Sequence, residues 1–99
     1  MIVLFSARRL KPGAWDQFRR AWDPGDAQPP GLQRVYHARN VRDEDEIISF
    51  GIFDMTEDEY RSWHAEAEEQ EFRRVDNLSA FVAEQPVSGV YEVIEELSE

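Results

Sequence analysis

The segment Ile47–Phe53, with the sequence IISFGIF, constrains the fold of this chain more than any other stretch. It is short, β-branched and aromatic, which is typical of a β-strand, and alternate residues of a strand point to opposite faces of the sheet. A strand with one wet face alternates apolar with polar residues, whereas both sets of alternating residues here are apolar or small. The sequence therefore predicts a strand that is covered on both sides.

Periodicity and turn signals divide most of the remaining chain into strands and a first helix. Strands are predicted at Ile2–Ala7, Leu32–Val41 and Val87–Leu97, and a helix at Ala14–Asp23. The loop Asp26–Gly31 and the charged turn Arg42–Glu46 are expected to separate these elements.

A second helix is predicted to follow the central strand, and it begins with a capping box. The Thr56 hydroxyl would accept a hydrogen bond from the Glu59 amide, while the Glu59 carboxylate reaches back to the amide of Thr56. The apolar residues then fall into two sets that are out of line with each other, namely Tyr60, Trp63 and Ala67, and Phe72, Val75, Leu78 and Val82. This slip predicts a kink or break within Glu68–Glu71, and Gln85-Pro86 is expected to end the helical region.

The order of the predicted elements is β-α-β-β-α-β, an α+β chain with an antiparallel sheet on the ferredoxin-like plan. That plan places the first and third strands in the middle of the sheet, and these are the two strands that are apolar on both faces. Both helices pack on one side, which leaves an apolar surface on the other side of a monomer. A homodimer with its two sheets face to face, and an interface above roughly 1,000 Å², is therefore predicted.

Composition limits the class of protein. Ninety-nine residues with 41% hydrophobic content are expected to form one folded domain, residues 1–99. The chain has no cysteine, so disulfides and thiolate chemistry are excluded, and its net charge of −10 disfavours binding to nucleic acid. No apolar run reaches the length of a membrane span. The opening MIVLFSARRL lacks the features of a signal peptide, so a cytoplasmic location is expected.

Charge is divided unevenly along the chain. Residues 1–42 carry eight Lys or Arg and three Asp or Glu, whereas residues 43–99 carry three and eighteen. One interpretation is a solvated acidic helix and tail. The other is that the basic half lines a pocket for an acidic ligand or meets the acidic half of a partner chain.

With these elements in place, the chain resembles the antibiotic biosynthesis monooxygenase (ABM) group of the dimeric α+β barrel superfamily. The resemblance covers nearly the whole chain and rests on Lys11-Pro12-Gly13 with Phe18, the hairpin leading to SFGIFD, Trp63-His64, and Val90-Tyr91-Glu92-Val93. It implies a homodimeric barrel with a cavity between each sheet and its own helices. Some members of the group oxidise polycyclic aromatic substrates with no metal or flavin, and others open haem.

The haem-opening branch of the group can be compared residue by residue. That branch uses an Asn near the end of the first strand, a Trp on the second helix and an iron-binding His further along the same helix. Trp63 matches the Trp, but the Asn position falls at or near Arg8 and the His position near Asp76. Two of the three residues are missing, so haem degradation is disfavoured.

The two histidines are the candidate catalytic residues. His64 could reach the cavity as a base for a phenol, or it could be an ordinary exposed helix residue. His37 could line the cavity or the dimer contact, or it could be a hydrogen-bonded structural residue. Neither HxH nor HxxxH spacing occurs, so no metal site is predicted, and no bound cofactor is expected.

Ligand-binding candidates are arginines on strands and large aromatic residues. The arginines could hold a carboxylate or enolate, or they could pair across strands with Glu92, Glu95 or Glu96. The aromatic residues could stack on a flat ligand or simply fill the core. The candidates are Arg8, Arg39, Trp22, Trp63, Tyr36 and Tyr91, while Ser6 and Ser49 lie on central strands with no visible base.

Two functions remain open on the sequence alone. The first is a cofactor-independent monooxygenase or related enzyme acting on a small aromatic or polyketide-like molecule, with His64 or His37 as base. The second is a non-catalytic module that binds a small molecule or dimerises. An open cavity lined by His, Arg and Tyr would favour the first, and a cavity plugged by Trp22, Trp63 and Phe72 the second.

Overall fold

A computed structural model describes residues 1–23 and 28–98 of the chain. Its elements are β1 (Ile2–Leu10), α1 (Trp15–Trp22), β2 (Leu32–Asn40), β3 (Asp43–Phe53), α2 (Glu57–Glu66), α3 (Glu68–Ser79) and β4 (Val82–Glu92). The strands form an antiparallel sheet in the order β2-β3-β1-β4. This confirms the predicted α+β ferredoxin-like plan with β1 and β3 in the middle. The predicted loop at Asp26–Gly31 lies partly outside the described residues.

The hairpin between β2 and β3 is tighter than predicted. The turn falls at Val41 and Arg42, so the expected charged turn Arg42–Glu46 is wrong and β3 begins at Asp43. Acidic residues are tolerated in this strand because they have cationic and polar partners. Arg9 of β1 makes an ion pair with Asp43, and the Asn40 amide donates to Glu46 at 3.0 Å.

The predicted interruption of the second helix is confirmed, one residue earlier than the predicted window. Both bonds of the Thr56–Glu59 capping box form, at 3.1 and 3.2 Å. The helix then divides at Ala67, whose φ of −98° and ψ of 9° lie outside helical values. α2 and α3 can therefore present different apolar faces to the sheet.

The end of the chain departs from the prediction. α3 stops at Ser79, and Val82 begins a strand rather than completing a helical stripe. Pro86, expected to end a helix, lies inside β4, where proline is tolerated because β4 is an edge strand and its register against β1 shifts nearby. The last strand was predicted at Val87–Leu97, but it ends at Glu92, because Glu92 pairs with Ile2 at the start of β1.

The helices cover one face of the sheet and close the core there. Phe18 of α1 and Leu78 of α3 pack against Leu10 of β1 and Ile47 of β3. A second cluster joins Ile2, Phe53 and Met55 below α2, with Tyr60 against it.

The opposite face, which we call the open face, is apolar but uncovered in the single chain. Phe5 lies next to Phe50 and Tyr91, with ring centroids 6.5 and 6.2 Å apart, and Tyr36 stacks on Phe50 at 5.1 Å. Tyr36 and Tyr91 each expose more than 40% of their surface.

Candidate active site

A cavity of about 550 Å³ lies between the sheet and the helices. All four strands supply its floor, and α1, α2 and α3 supply its walls. Its volume falls within the range of roughly 300–1,000 Å³ that is usual for small-molecule sites. The fold therefore leaves room for a ligand on the side of the sheet that the helices cover.

Two neighbouring rows of residues, set by strand register, give the floor its chemistry. Directly opposite residues of antiparallel strands share a face. The first row is polar and runs across all four strands: His37, Ser49, Ser6 and Ser88. The second row lies two residues away on each strand and is apolar: Val35, Gly51, Leu4 and Val90. We call these the polar row and the apolar row.

His37 is the half-buried end of the polar row. Its Nδ1 lies 2.7 Å from the Ser49 hydroxyl oxygen, and its ring is nearly perpendicular to that of Trp22 at a centroid distance of 4.5 Å. The other ring nitrogen, Nε2, is buried and has no hydrogen-bond partner among residues 1–23 and 28–98. Burial, followed by the charges of Arg19 and Arg8, lowers the pKa of His37 to about 4. His37 is therefore neutral near neutral pH and can accept a proton only weakly.

This environment predicts how the stability of the protein depends on pH. His37 titrates near 6.5 in an unfolded chain and near 4 in the fold, so the unfolded state binds more protons between these values. The free energy of unfolding should therefore decrease as pH falls from about 6.5 to about 4. Urea unfolding at about pH 7 and about pH 5 measures this. His37→Gln should remove most of this pH dependence of the free energy of unfolding. An equal pH dependence in the wild-type and variant proteins would contradict the lowered pKa of His37.

Arg8 is the second unusual group at the floor. Its Nε donates to the Gln85 side-chain oxygen at 2.8 Å, and its guanidinium lies 5.3 Å from the centre of the Phe18 ring. Its Nη1 is buried without a partner in the described part of the chain. Burial, and secondarily the charge of Arg74, lowers the pKa of Arg8 to about 10, which leaves it cationic at neutral pH.

The wall formed by α2 and α3 is aromatic and ionic. The Tyr60 and Trp63 rings lie 5.9 Å apart, with His64 at 5.8 Å from Tyr60. Burial raises the pKa of the Tyr60 phenol, so it stays a neutral hydrogen-bonding group. Arg74 pairs with Glu71 and donates to the Trp22 carbonyl oxygen at 2.9 Å, which ties α3 to α1 across the cavity.

The structure brings together half of the residues predicted for the site. Arg8, Trp22, Trp63 and His64 line the cavity. His37 lies behind Ser49, which lines it.

The other predicted binding residues lie elsewhere. Tyr36 and Tyr91 are on the open face, so their position does not support contact with a ligand in the cavity. Arg39 reaches over the Trp15 ring at 6.0 Å and is not a lining residue. The expected cross-strand pairing of the strand arginines with the C-terminal acids is replaced by contacts to Gln85 for Arg8 and Trp15 for Arg39.

Several lining residues were missed from the sequence. The sequence shows no base for Ser49, yet His37 lies within hydrogen-bond distance of it. The pattern predicts Tyr60 in the core and Gln85 at a helix end, whereas Tyr60 lines the cavity and Gln85 lines it from β4. Ser6 and Ser88 lie opposite each other on β1 and β4, with their hydroxyl oxygens 3.5 Å apart. Only the strand register reveals this contact.

Comparison with solved structures identifies the fold. SnoaB, a cofactor-independent oxygenase from Streptomyces nogalater, matches with a TM-score of 0.75 and 15% identity over 99% of this chain and 97% of that chain. A candidate ABM protein from Deinococcus radiodurans matches with a TM-score of 0.74 and 12% identity over 100% and 98%. One from Chloroflexus aurantiacus matches at 0.71 and 14% over 98% and 96%.

The chain has the ABM fold. This confirms, at the level of structure, the resemblance that the sequence suggested. By sequence, the chain matches no family model and no curated protein. Among the described residues, no group of three or more His, Asp or Glu could hold a metal ion, and no helix is long and apolar enough to cross a membrane.

Proposed function

We propose that the protein is a monooxygenase that acts, without a cofactor, on a small aromatic or polyketide-like molecule held in the cavity. The observation that carries this proposal is the open cavity whose lining combines His64, Arg8 and Tyr60 with aromatic walls. SnoaB, which shares the fold, is a cofactor-independent oxygenase, and this supports the same class of reaction here.

The lining residues divide the work of such a reaction among them. Trp22 and Trp63 offer flat surfaces for an aromatic ring and keep water away from it. A base removes the proton of a substrate phenol, and the resulting phenolate gives one electron to dioxygen. The two radicals combine at a ring CH2 carbon conjugated with the phenolate, and the peroxide that forms loses water to leave a carbonyl, so the substrate supplies all of the electrons. The protein then needs only to bind, deprotonate and shield the substrate.

His64 is the better-placed base of the two histidines. It lines the cavity and is exposed, so it can take a proton from the substrate and release it to water. His37 does not line the cavity but lies behind the lining residues Ser49 and Trp22, and its lowered pKa makes it a weak base. His37 is better suited to orienting the Ser49 hydroxyl than to taking a proton from the substrate.

The alternative, a non-catalytic binding module, predicted a cavity plugged by Trp22, Trp63 and Phe72. Instead, the two tryptophans form part of the lining, and Phe72 is 72% exposed on α3. The cavity is therefore open rather than plugged, which favours an enzyme over a non-catalytic binding module.

His64→Ala is expected to reduce turnover at least about a hundredfold, since a positioned acid or base contributes about 10²- to 10⁴-fold. Dioxygen uptake with a tricyclic phenol such as 1,8-dihydroxyanthrone would measure this, alongside the melting temperature. Arg61→Ala is a matched control, because Arg61 lies on the same helix and its ion pair in the described part of the chain is with exposed Glu57 at 2.6 Å. Turnover unchanged by His64→Ala would remove this residue from the mechanism.

We also propose that a second copy of the chain covers the open face. The exposed rings of Tyr36 and Tyr91, joined through the partly buried rings of Phe50 and Phe5, form an apolar surface there of the kind that monomers rarely leave in water. Two such sheets packed face to face would bury it on both chains.

A further inference from the structure

The cavity floor contains a cationic donor that the protein itself leaves unused. Arg8 Nη1 is buried and makes no hydrogen bond to any described residue. Buried polar groups almost always have a hydrogen-bond partner, and a buried N–H group without one keeps the full unfavourable free energy of desolvation. Arg8 lines the cavity, so a small movement of its guanidinium would let an oxygen atom of a bound ligand supply the missing acceptor.

Within residues 1–23 and 28–98, no acid contributes to the pKa shift of Arg8. Its hydrogen-bond partner is the neutral amide of Gln85. The charge that shifts its pKa is that of another cation, Arg74. Glu71, an acid of the lining, binds Arg74 through two hydrogen bonds at 3.0 and 3.2 Å. The potential at Arg8 therefore favours a negative oxygen over a neutral one.

The floor of the cavity also changes from apolar to polar toward Arg8. Leu4 in the apolar row, Ser6 in the polar row and Arg8 follow one another along the same face of β1. A flat ring lying over Leu4 and Val90 would place a substituent over the hydroxyls of Ser6 and Ser88, and then at the guanidinium. This gradient suits a ligand with an apolar body and an anionic oxygen at one end.

We propose that Arg8 binds an anionic oxygen of the ligand, a carboxylate or enolate oxygen, at the end of the polar row, and so selects acidic aromatic molecules. This rests on the proposed function and adds a substrate class to it. It also favours one of the two interpretations of the charge asymmetry, in which the basic half of the chain lines a pocket for an acidic ligand.

Binding of 2-naphthoate and of its neutral analogue 2-naphthamide tests the proposal, with titration followed by calorimetry and by tryptophan fluorescence. The wild-type protein should bind the carboxylate about tenfold or more tightly than the amide, the range expected for a charge-assisted hydrogen bond. Arg8→Gln should abolish this preference while amide affinity changes less than about threefold. Arg8→Lys should keep part of it. Arg73→Gln removes an equal charge from an exposed site on α3 and should leave it intact.

Each outcome separates this proposal from the proposed function. Equal affinity for the two probes in the wild-type protein, or an unchanged preference in Arg8→Gln, would overturn the role of Arg8 alone. A strong preference for the carboxylate without dioxygen uptake on any phenol would overturn the oxygenase alone. Failure to bind either probe would overturn the role of Arg8, whereas dioxygen uptake with 1,8-dihydroxyanthrone tests the oxygenase separately. If Arg8→Gln does not fold, a shift of the wild-type Arg8 side-chain NMR signals on adding 2-naphthoate, but not 2-naphthamide, decides instead.

Discussion

Replacing Phe18 with alanine is expected to lower the free energy of unfolding by about 3–5 kcal/mol, a large share of the 5–15 kcal/mol typical of a small domain. Phe18 is 0% exposed and lies where α1 meets β1, β3 and α3, so its removal leaves a cavity that the surrounding elements cannot easily fill. Its ring also supports the guanidinium of Arg8 at 5.3 Å. Urea unfolding followed by circular dichroism would measure the loss.

Phe72→Ala is the matched control for this prediction. It deletes the same side chain from α3, where Phe72 is 72% exposed, and should change stability by less than about 0.5 kcal/mol. Similar losses from the two substitutions would show that the core does not lie where the structure places it.

Phe50→Asp is expected to prevent folding or dimerisation. Phe50 lies at the centre of the open face, between Phe5 and Tyr36 at 6.5 and 5.1 Å, so the new carboxylate would be buried between two packed sheets. Burying an unpaired charge is strongly unfavourable. Sedimentation equilibrium and circular dichroism would separate a folded monomer from an unfolded chain, and either result agrees with the prediction.

Val41→Asp controls for the added charge, since Val41 is 99% exposed in the turn between β2 and β3. It should leave both folding and association unchanged. A native-like dimer carrying Phe50→Asp, or a monomeric wild-type protein, would contradict the proposed interface.

The sheet could be predicted from the sequence because its two central strands are distinctive. Ile47–Phe53 and the segment after Met1 are apolar on both alternating faces, and only a central strand covered on both sides requires this pattern. The same property conceals which face meets the helices. The sequence therefore allows Tyr36 and Tyr91 to contact a ligand in the cavity, although the strand register places both on the open face.

The contacts within the site depend on register, which is sensitive to single residues. The length of the turn sets the register, and the turn predicted at Arg42–Glu46 would pair His37 with Gly51, two residues from its observed partner Ser49. The prediction that Pro86 ends a helix is wrong for a related reason. A proline on an edge strand has the same local sequence signature as a proline that ends a helix. Trp63 and His64 were located because helical spacing after a capping box fixes a face without long-range pairing.

The central claim is that ligand chemistry takes place in the cavity under the helices, with Arg8 as the anchor. A crystal structure of the protein saturated with 2-naphthoate tests it most directly. We predict the ring over Leu4 and Val90, beside Trp22, with a carboxylate oxygen about 3 Å from Arg8 Nη1. A naphthoate bound instead on the open face against Tyr36 and Phe50, with side chains closing the cavity, would contradict the account.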